Sequence, residues 1–281
     1  MNELYKWRKI KKKDIKAAQQ LLVNVENEYV SACAKFIMRE KFNDPIWALS
    51  AKNKEIAALI INSRSTILPV LCGVKEIPNT VFLKGLMRSK IIHSIQGLKD
   101  EVRFTEREME KNGKLPDDII DYDLMSLDKL PEGVKNSGPS NLILRLPRID
   151  DIDEMTPLQA AYEKEEVLPK GSAFNPAASK ASITNLITSG KILAAEINGR
   201  LVGKINVNAV SFSRYQVGGV YVHPDYRGKG VAKRMAAEFI TSLTGEGKGV
   251  TLFVKKNNNA AKQLYGALGF IKINDYRITY Y

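Results

Sequence analysis

The sequence predicts an α/β protein, α+β in its mixture of hairpins and crossovers, made of two lobes that each carry a mixed sheet flanked by helices. Three observations predict this. At 281 residues the chain is too long for one domain of about 150, so two domains are the natural division. The stretch PEGVKNSGPS at 131–140 is turn-rich and nearly without apolar residues, which makes it a linker between a lobe at 1–130 and a lobe at 141–281. On both sides of it, strand-like runs of β-branched and aromatic residues alternate with segments of helical apolar spacing.

In the first half, 4–10 reads as a strand, 14–39 as helices, and 46–51 and 55–70 as strands around a turn at Asn53. Residues 91–110 read as one long helix and 122–126 as a short strand. His93, at the start of that helix, reads as a structural residue or cap neighbour rather than a catalytic one.

The second half begins with a strand at 141–146 and a helix at 150–166 whose Met155, Leu158, Ala161 and Tyr162 share one face. A short helix at 180–188 precedes three strands, 192–197, 201–210 and 215–222, the first two joined by an Asn198-Gly199 hairpin turn. The third strand ends at His223-Pro224-Asp225, and Arg227-Gly228-Lys229-Gly230-Val231-Ala232 leads into a helix with Met235, Phe239 and Ile240 at helical spacing. A strand at 250–254, a helix from Asn258 and short strands at 270–273 and 276–280 complete the order.

The glycine-rich turn is the feature that carries chemistry. The first N–H groups of a helix lack intrahelical partners and lie at the positive end of its dipole, so a phosphate is stabilised there. Gly228 and Gly230 allow close backbone approach, while Arg227 and Lys229 add charge. A turn of this kind also serves as a plain tight connection. It is neither a Walker loop nor a GxGxxG dinucleotide turn.

The spacing Arg227-x-x-Gly230-x-Ala232 after an apolar strand resembles the acyl-CoA pyrophosphate loop of the GNAT superfamily of acetyl-CoA-dependent N-acetyltransferases, whose pattern is Gln/Arg-x-x-Gly-x-Gly/Ala. A second match follows: Asn258-x-x-Ala261-x-x-Leu264-Tyr265-x-x-x-Gly269-Phe270 resembles the family's next helix. The resemblance covers roughly 141–281 and implies a sheet splayed at its centre. Since 1–130 echoes the same element order without the loop pattern at 89–97, it reads as a degenerate GNAT-like lobe of a tandem member or as an unrelated α/β domain.

The resemblance also implies a mechanism. The pantetheine arm would lie between the strand at 217–222 and that at 250–254, bonding to free backbone groups of Val220 and Val222 next to Tyr221. The N–H of Val220 or a neighbour would hold the developing oxyanion of the thioester carbonyl. The pyrophosphate would sit on Arg227, Gly228, Lys229, Gly230, Val231 and Ala232, and Asn258 and Ala261 would contact the arm, Asn258 doubling as an N-cap. Tyr265 would protonate or hydrogen-bond the leaving thiolate, a phenol of pKa ~10 donating to a thiolate of pKa ~8.5. Gly218 and Gly219 suit a bulge, with or without a ligand beside it.

One departure concerns the general base. Histone-type relatives place a glutamate eleven positions before the loop's first residue, and here that position is Gln216. The proton then leaves through a water chain, through Glu163, Glu166, Glu196 or the carboxylate of Tyr281, or before the amine binds. His223 reads first as a surface turn residue and second as the base.

Composition sets the remaining expectations. Cys33 and Cys72 form no CxxC pair and imply neither zinc nor a disulfide framework, which fits a reducing cytoplasmic setting and no metal. No run reaches the ~18 apolar residues of a membrane span, and the basic start lacks an apolar core of a secretory signal. The net charge of +12 is spread, with 24 basic and 19 acidic residues in 1–140 and 19 and 12 in 141–281. The cluster from Lys6 to Lys16 reads as a solvated face rather than a nucleic-acid surface. The expected partners are acetyl-CoA and an amine whose identity no motif encodes. The opposing class is a binding module, which would use CoA as a sensing ligand or dock on nucleic acid.

Overall fold

The computed structural model describes residues 5–39, 45–51, 55–74, 92–131 and 138–281. Its elements run β1 (Tyr5–Lys9), α1 (Ile15–Asn24), α2 (Val30–Ile37), β2 (Ile46–Ala51), β3 (Ile56–Ser63), β4 (Thr66–Val70), β5 (Ser94–Leu98), α3 (Lys99–Glu110) and β6 (Asp118–Leu127). They continue with β7 (Leu142–Arg145), α4 (Ile152–Tyr162), α5 (Pro176–Thr188), β8 (Ile192–Ile197), β9 (Arg200–Val210), β10 (Arg214–Val222), α6 (Val231–Gly245), β11 (Gly249–Lys255), α7 (Asn259–Ala267) and β12 (Ile271–Tyr280). The chain forms two compact units, Met1–Leu124 with Ile273–Tyr281, and Met125–Lys272. This division differs from the expected second lobe at 141–281, because the last strand pairs with β5 of the first unit, Tyr276 opposite Leu98 and Tyr280 opposite Ser94.

In the first unit the strand order is β1-β2-β3-β4-β5-β12-β6. The ladders β1 to β4 are antiparallel, while β4 runs parallel to β5 over Thr66–Ile67 against Ser94–Ile95. Ile60, Ile67, Ile95, Val102 and Met109 make its core. The expected single helix over 91–110 is corrected: 94–98 is a strand, and the helix starts only at Lys99. Sheet partners on both sides, β4 and β12, satisfy the backbone of this strand, which holds Gly97, a poor helix former, and that outweighs local helical spacing. Asp100 and Glu101 then favour a helix start. His93 accordingly precedes a strand rather than opening a helix. The closing strands expected at 270–273 and 276–280 are one strand, and that expected at 122–126 extends over Asp118–Leu127. Leu4, Asn53, 89–91 and most of the linker, 132–137, lie outside the described residues.

In the second unit the order is β11-β10-β9-β8-β7, antiparallel except for the parallel pair β10 and β11. Asn198 (φ 51°) and Gly199 (φ 74°) turn β8 into β9 with the left-handed backbone that a two-residue hairpin needs. Neighbouring residues on a strand point to opposite faces. Val222 and Ala195 thus join Met235, Phe239, Val250 and Leu252 in one core, while Tyr221 and Ala194 join Met155, Leu158, Ile183 and Ile187 of α4 and α5 in another. The helix expected from 180 begins at Pro176, since Asn175 caps it by accepting the Ala178 N–H at 3.0 Å and proline suits the first helical position. The helix expected over 150–166 ends at Tyr162 and widens into a π turn at Glu163–Val167.

Candidate active site

The parallel ladder of β10 and β11 runs from Arg214 opposite Gly249 to Val217 opposite Leu252 and stops there, although the strands continue to Val222 and Lys255. Beyond Val217 the two strands therefore splay into a wedge. On the β9 side the register jumps between Gly218, opposite Asn206, and Tyr221, opposite Lys204, so Gly219 and Val220 form a bulge at the mouth of the wedge. Gly219 sits at φ 62°, a conformation that disfavours any side chain. At Gly218 a Cβ would come within 2.2 Å of Asn208 Nδ2.

Lys204, Asn206 and Asn208 alternate along β9 and so share one face beside the bulge. Lys204 is 0% exposed, and its Nζ donates to Gly219 O at 2.9 Å and to Asn206 Oδ1 at 3.1 Å. Asn206 Nδ2 in turn donates to Asn208 Oδ1 at 2.7 Å. The ammonium lies 4.4 Å from the ring centroid of Tyr162, whose hydroxyl accepts the Gly219 N–H at 3.3 Å. Burial pulls the Lys204 amine down to about 7, opposed by the nearby Glu163 carboxylate.

At the end of β10 the glycine turn adopts the expected backbone, with Gly228 at φ 74° and Gly230 at φ 80°. Gly230 is the N-cap of α6 and supplies no side-chain cap, which leaves the first-turn amides of Val231 and Ala232 to other acceptors. The charged side chains are arranged differently from the expectation. Arg227 turns back: its Nε donates to Val222 O at 2.9 Å, its Nη2 to Glu165 at 2.9 Å, and it stacks over Tyr221 at 5.2 Å. The Val222 carbonyl, expected to be free, is thereby taken. Tyr221 also donates to Glu165, at 3.0 Å, and Lys229 Nζ reaches Asp225 O at 2.9 Å.

Across the wedge, Asn258 caps α7 by accepting the Ala261 N–H at 3.0 Å and donates to Glu166 at 3.3 Å. Tyr265 is buried on the next turn but one, edge-on to Phe270 with centroids 5.7 Å apart. Burial, then the neighbouring Tyr162 and Glu166, push its phenol well above the usual range, so it keeps its proton at neutral pH. Tyr265, Asn258, Tyr162 and Glu166 thus belong to one neighbourhood.

The base candidates have other occupations. Gln216 is buried within the closed part of the ladder, opposite Thr251. Glu196 pairs with Arg145 at 2.6 Å, Glu166 with Lys255 at 3.5 Å, and Glu163 accepts from Gln159 at 2.7 Å. Tyr281 belongs to the first unit. His223 is an exposed turn residue, its Nδ1 accepting from the Asp225 N–H at 3.4 Å. Among the described residues no group of three His, Cys, Asp or Glu is placed to hold a metal ion, and no helix is long and apolar enough to cross a membrane.

Sequence reasoning missed Lys204, Asn206, Tyr162 and Glu165. The period-two polar stripe Lys204-x-Asn206-x-Asn208 in an otherwise apolar strand was the available signal.

An open wedge, a bulge with inward backbone and an uncapped helix start together fit an anion followed by an extended, amide-bearing arm. Residues 156–270 match the model of the Acetyltransferase (GNAT) family. No curated protein gives a significant sequence match. Among solved structures, a GCN5-related N-acetyltransferase from Sphaerobacter thermophilus is 19% identical, with 98% of this chain and 94% of that chain covered at a TM-score of 0.62. A GNAT-family acetyltransferase from Colwellia psychrerythraea is 12% identical, covering 98% and 100% at 0.56. A tandem GNAT protein from the clavulanic acid biosynthesis pathway is 12% identical, covering 98% and 97% at 0.58. At these identities the likeness is one of fold, and it extends over both units.

Proposed function

We propose that this chain, a GNAT-type N-acetyltransferase through residues 156–270, moves the acetyl group of acetyl-CoA to a primary amine by direct attack in a ternary complex. The observation that carries the reading is the wedge after Val217, which lies between the glycine turn and the helix of Tyr265.

In this reading the amides of Val231 and Ala232 and the side chain of Lys229 hold the pyrophosphate, and Arg227 releases Glu165 to join them. The bulge offers the Val220 N–H to the thioester oxygen as charge develops there. The neutral amine forms its bond to the acetyl carbon, the carbon–sulfur bond breaks, and the thiolate takes the Tyr265 proton. The proton lost from the new amide nitrogen restores the phenol through water, so the products are the acetamide and free thiol. The Tyr265 hydroxyl stays protonated and so is in place to hydrogen-bond the leaving sulfur, and its raised pKa favours a concerted relay of the nitrogen's proton over full ionisation of the phenol.

The first unit supports a division of labour. Its equivalent parallel pair, β4 and β5, also separates early, but the Leu71 and Cys72 amides bond to Glu101 of α3. A side chain of the chain itself takes the amides just past β4, in keeping with a lobe that binds no CoA.

A thermal shift with acetyl-CoA, followed by thiol release over a panel of amines, tests the function. Stabilisation with turnover on at least one amine is expected. Binding with no turnover on any amine would instead favour a CoA sensor, the reading that Gln216 at the usual glutamate position favours, and no binding would defeat both.

A further inference from the structure

We propose that Lys204 is a positioning residue for the acyl-transfer step: its buried ammonium, seated on Gly219 O, polarises and fixes the peptide whose N–H is that of Val220. The inference rests on the reading above, in which the Val220 N–H faces the thioester oxygen.

Gly219 C=O and Val220 N–H are the two ends of one peptide group. A cation bonded to the oxygen draws electron density through the amide and makes the opposite N–H a stronger donor, as chains of hydrogen bonds do in a low-dielectric interior. Lys204 Nζ supplies that bond at 2.9 Å. The preceding peptide is held independently, its Gly219 N–H donating to Tyr162 at 3.3 Å. The bulge is thus fixed on both sides of Gly219, and a preorganised donor needs no reorganisation as charge develops.

A purely structural role accounts poorly for this residue. Taking a charge fully out of water is expensive, and methionine would fill the same space without that cost. The ammonium is retained by oxygen partners and by the face of Tyr162 rather than by a bonded carboxylate. Its surroundings leave its charge open to pH. Glu163 raises its proton affinity, Tyr162 faces it from α4, Tyr221 lies opposite it on β10, and on β8 its partner is the uncharged Ala194.

The test is the infrared carbonyl stretch of acetyl-CoA labelled with carbon-13 at the acetyl carbonyl, bound to the whole chain at pH 6 and pH 9. The expected result is a stretch lowered on binding at pH 6, with most of that lowering lost by pH 9. In Lys204→Met the lowering is small and independent of pH, while acetyl-CoA affinity stays within about twofold, since the pyrophosphate contacts are untouched. The pH arm uses the unmodified protein, so it decides the matter even if the variant does not fold. A lowering that is equal at both pH values overturns the role of Lys204 and leaves the Val220 donor standing. Binding with no lowering at either pH overturns the Val220 assignment as well, and absence of binding overturns the proposed function itself.

Discussion

Gly219 and Asn206 fit together only because Gly219 has no side chain: a Cβ there would lie 1.7 Å from Asn206 Oδ1 and 2.8 Å from Lys204 Nζ. Gly219→Ala therefore combines a left-handed backbone with a steric overlap, and should cost on the order of 3 kcal/mol. Urea unfolding measures it. The double variant Gly219→Ala/Asn206→Gly should recover the steric part, leaving a coupling of about 1 kcal/mol or more, and strictly additive losses would show that the two do not meet.

Tyr265→Phe keeps the ring that packs against Phe270 and removes only the hydroxyl. Thiol release under saturating substrates should drop about 100-fold, while KM for acetyl-CoA changes little, the pattern of an interaction made in the transition state. An unchanged kcat would remove Tyr265 from the mechanism.

Asn258→Ala deletes the side-chain oxygen that accepts the Ala261 N–H. About 1 kcal/mol of stability should be lost, seen as a lower urea midpoint with an unchanged slope. Asn258→Asp retains the cap oxygen but introduces a charge beside Glu166, so it should recover only part of the loss.

The Glu101 carboxyl accepts from Tyr29 at 2.6 Å and from the Cys72 N–H at 3.0 Å, yet burial raises it from 4.5 to about 7. Between those values the folded chain holds a proton that the unfolded chain has released. Stability from this group is thus complete below pH 4.5 and lost as pH rises through about 7, a change on the order of 3 kcal/mol. Glu101→Gln should flatten that slope in unfolding curves taken between pH 4.5 and 7, and a slope that persists would assign it to other groups.

The parts legible in the sequence were those set by neighbours along the chain. Asn198-Gly199 announces its hairpin, Gly228 and Gly230 their turn, and Met235, Phe239 and Ile240 their helix, each through local conformation or periodicity. Ser94–Leu98 was misread because its strand character comes from β4 and β12, one of them almost at the far end of the chain. Lys204 went unnoticed for a similar reason. A lysine reads as a surface residue until the bulge, Asn206 and Tyr162 close over it, and these come from three separate segments. The wedge itself was foreseen through the family resemblance; the capture of the Val222 carbonyl by Arg227 was not, since it depends on which way one side chain turns.

Because β12 completes the sheet of the first unit, β5 waits for a strand that is translated only after the whole second unit. Until Tyr276–Tyr280 leaves the ribosome, β5 presents an unpaired edge, a template for association with other chains. The second unit, Met125–Lys272, is contiguous and can collapse earlier, which reverses the usual order of domain maturation during synthesis. A stop codon just after Lys272 would consequently injure the lobe whose other strands precede the second unit.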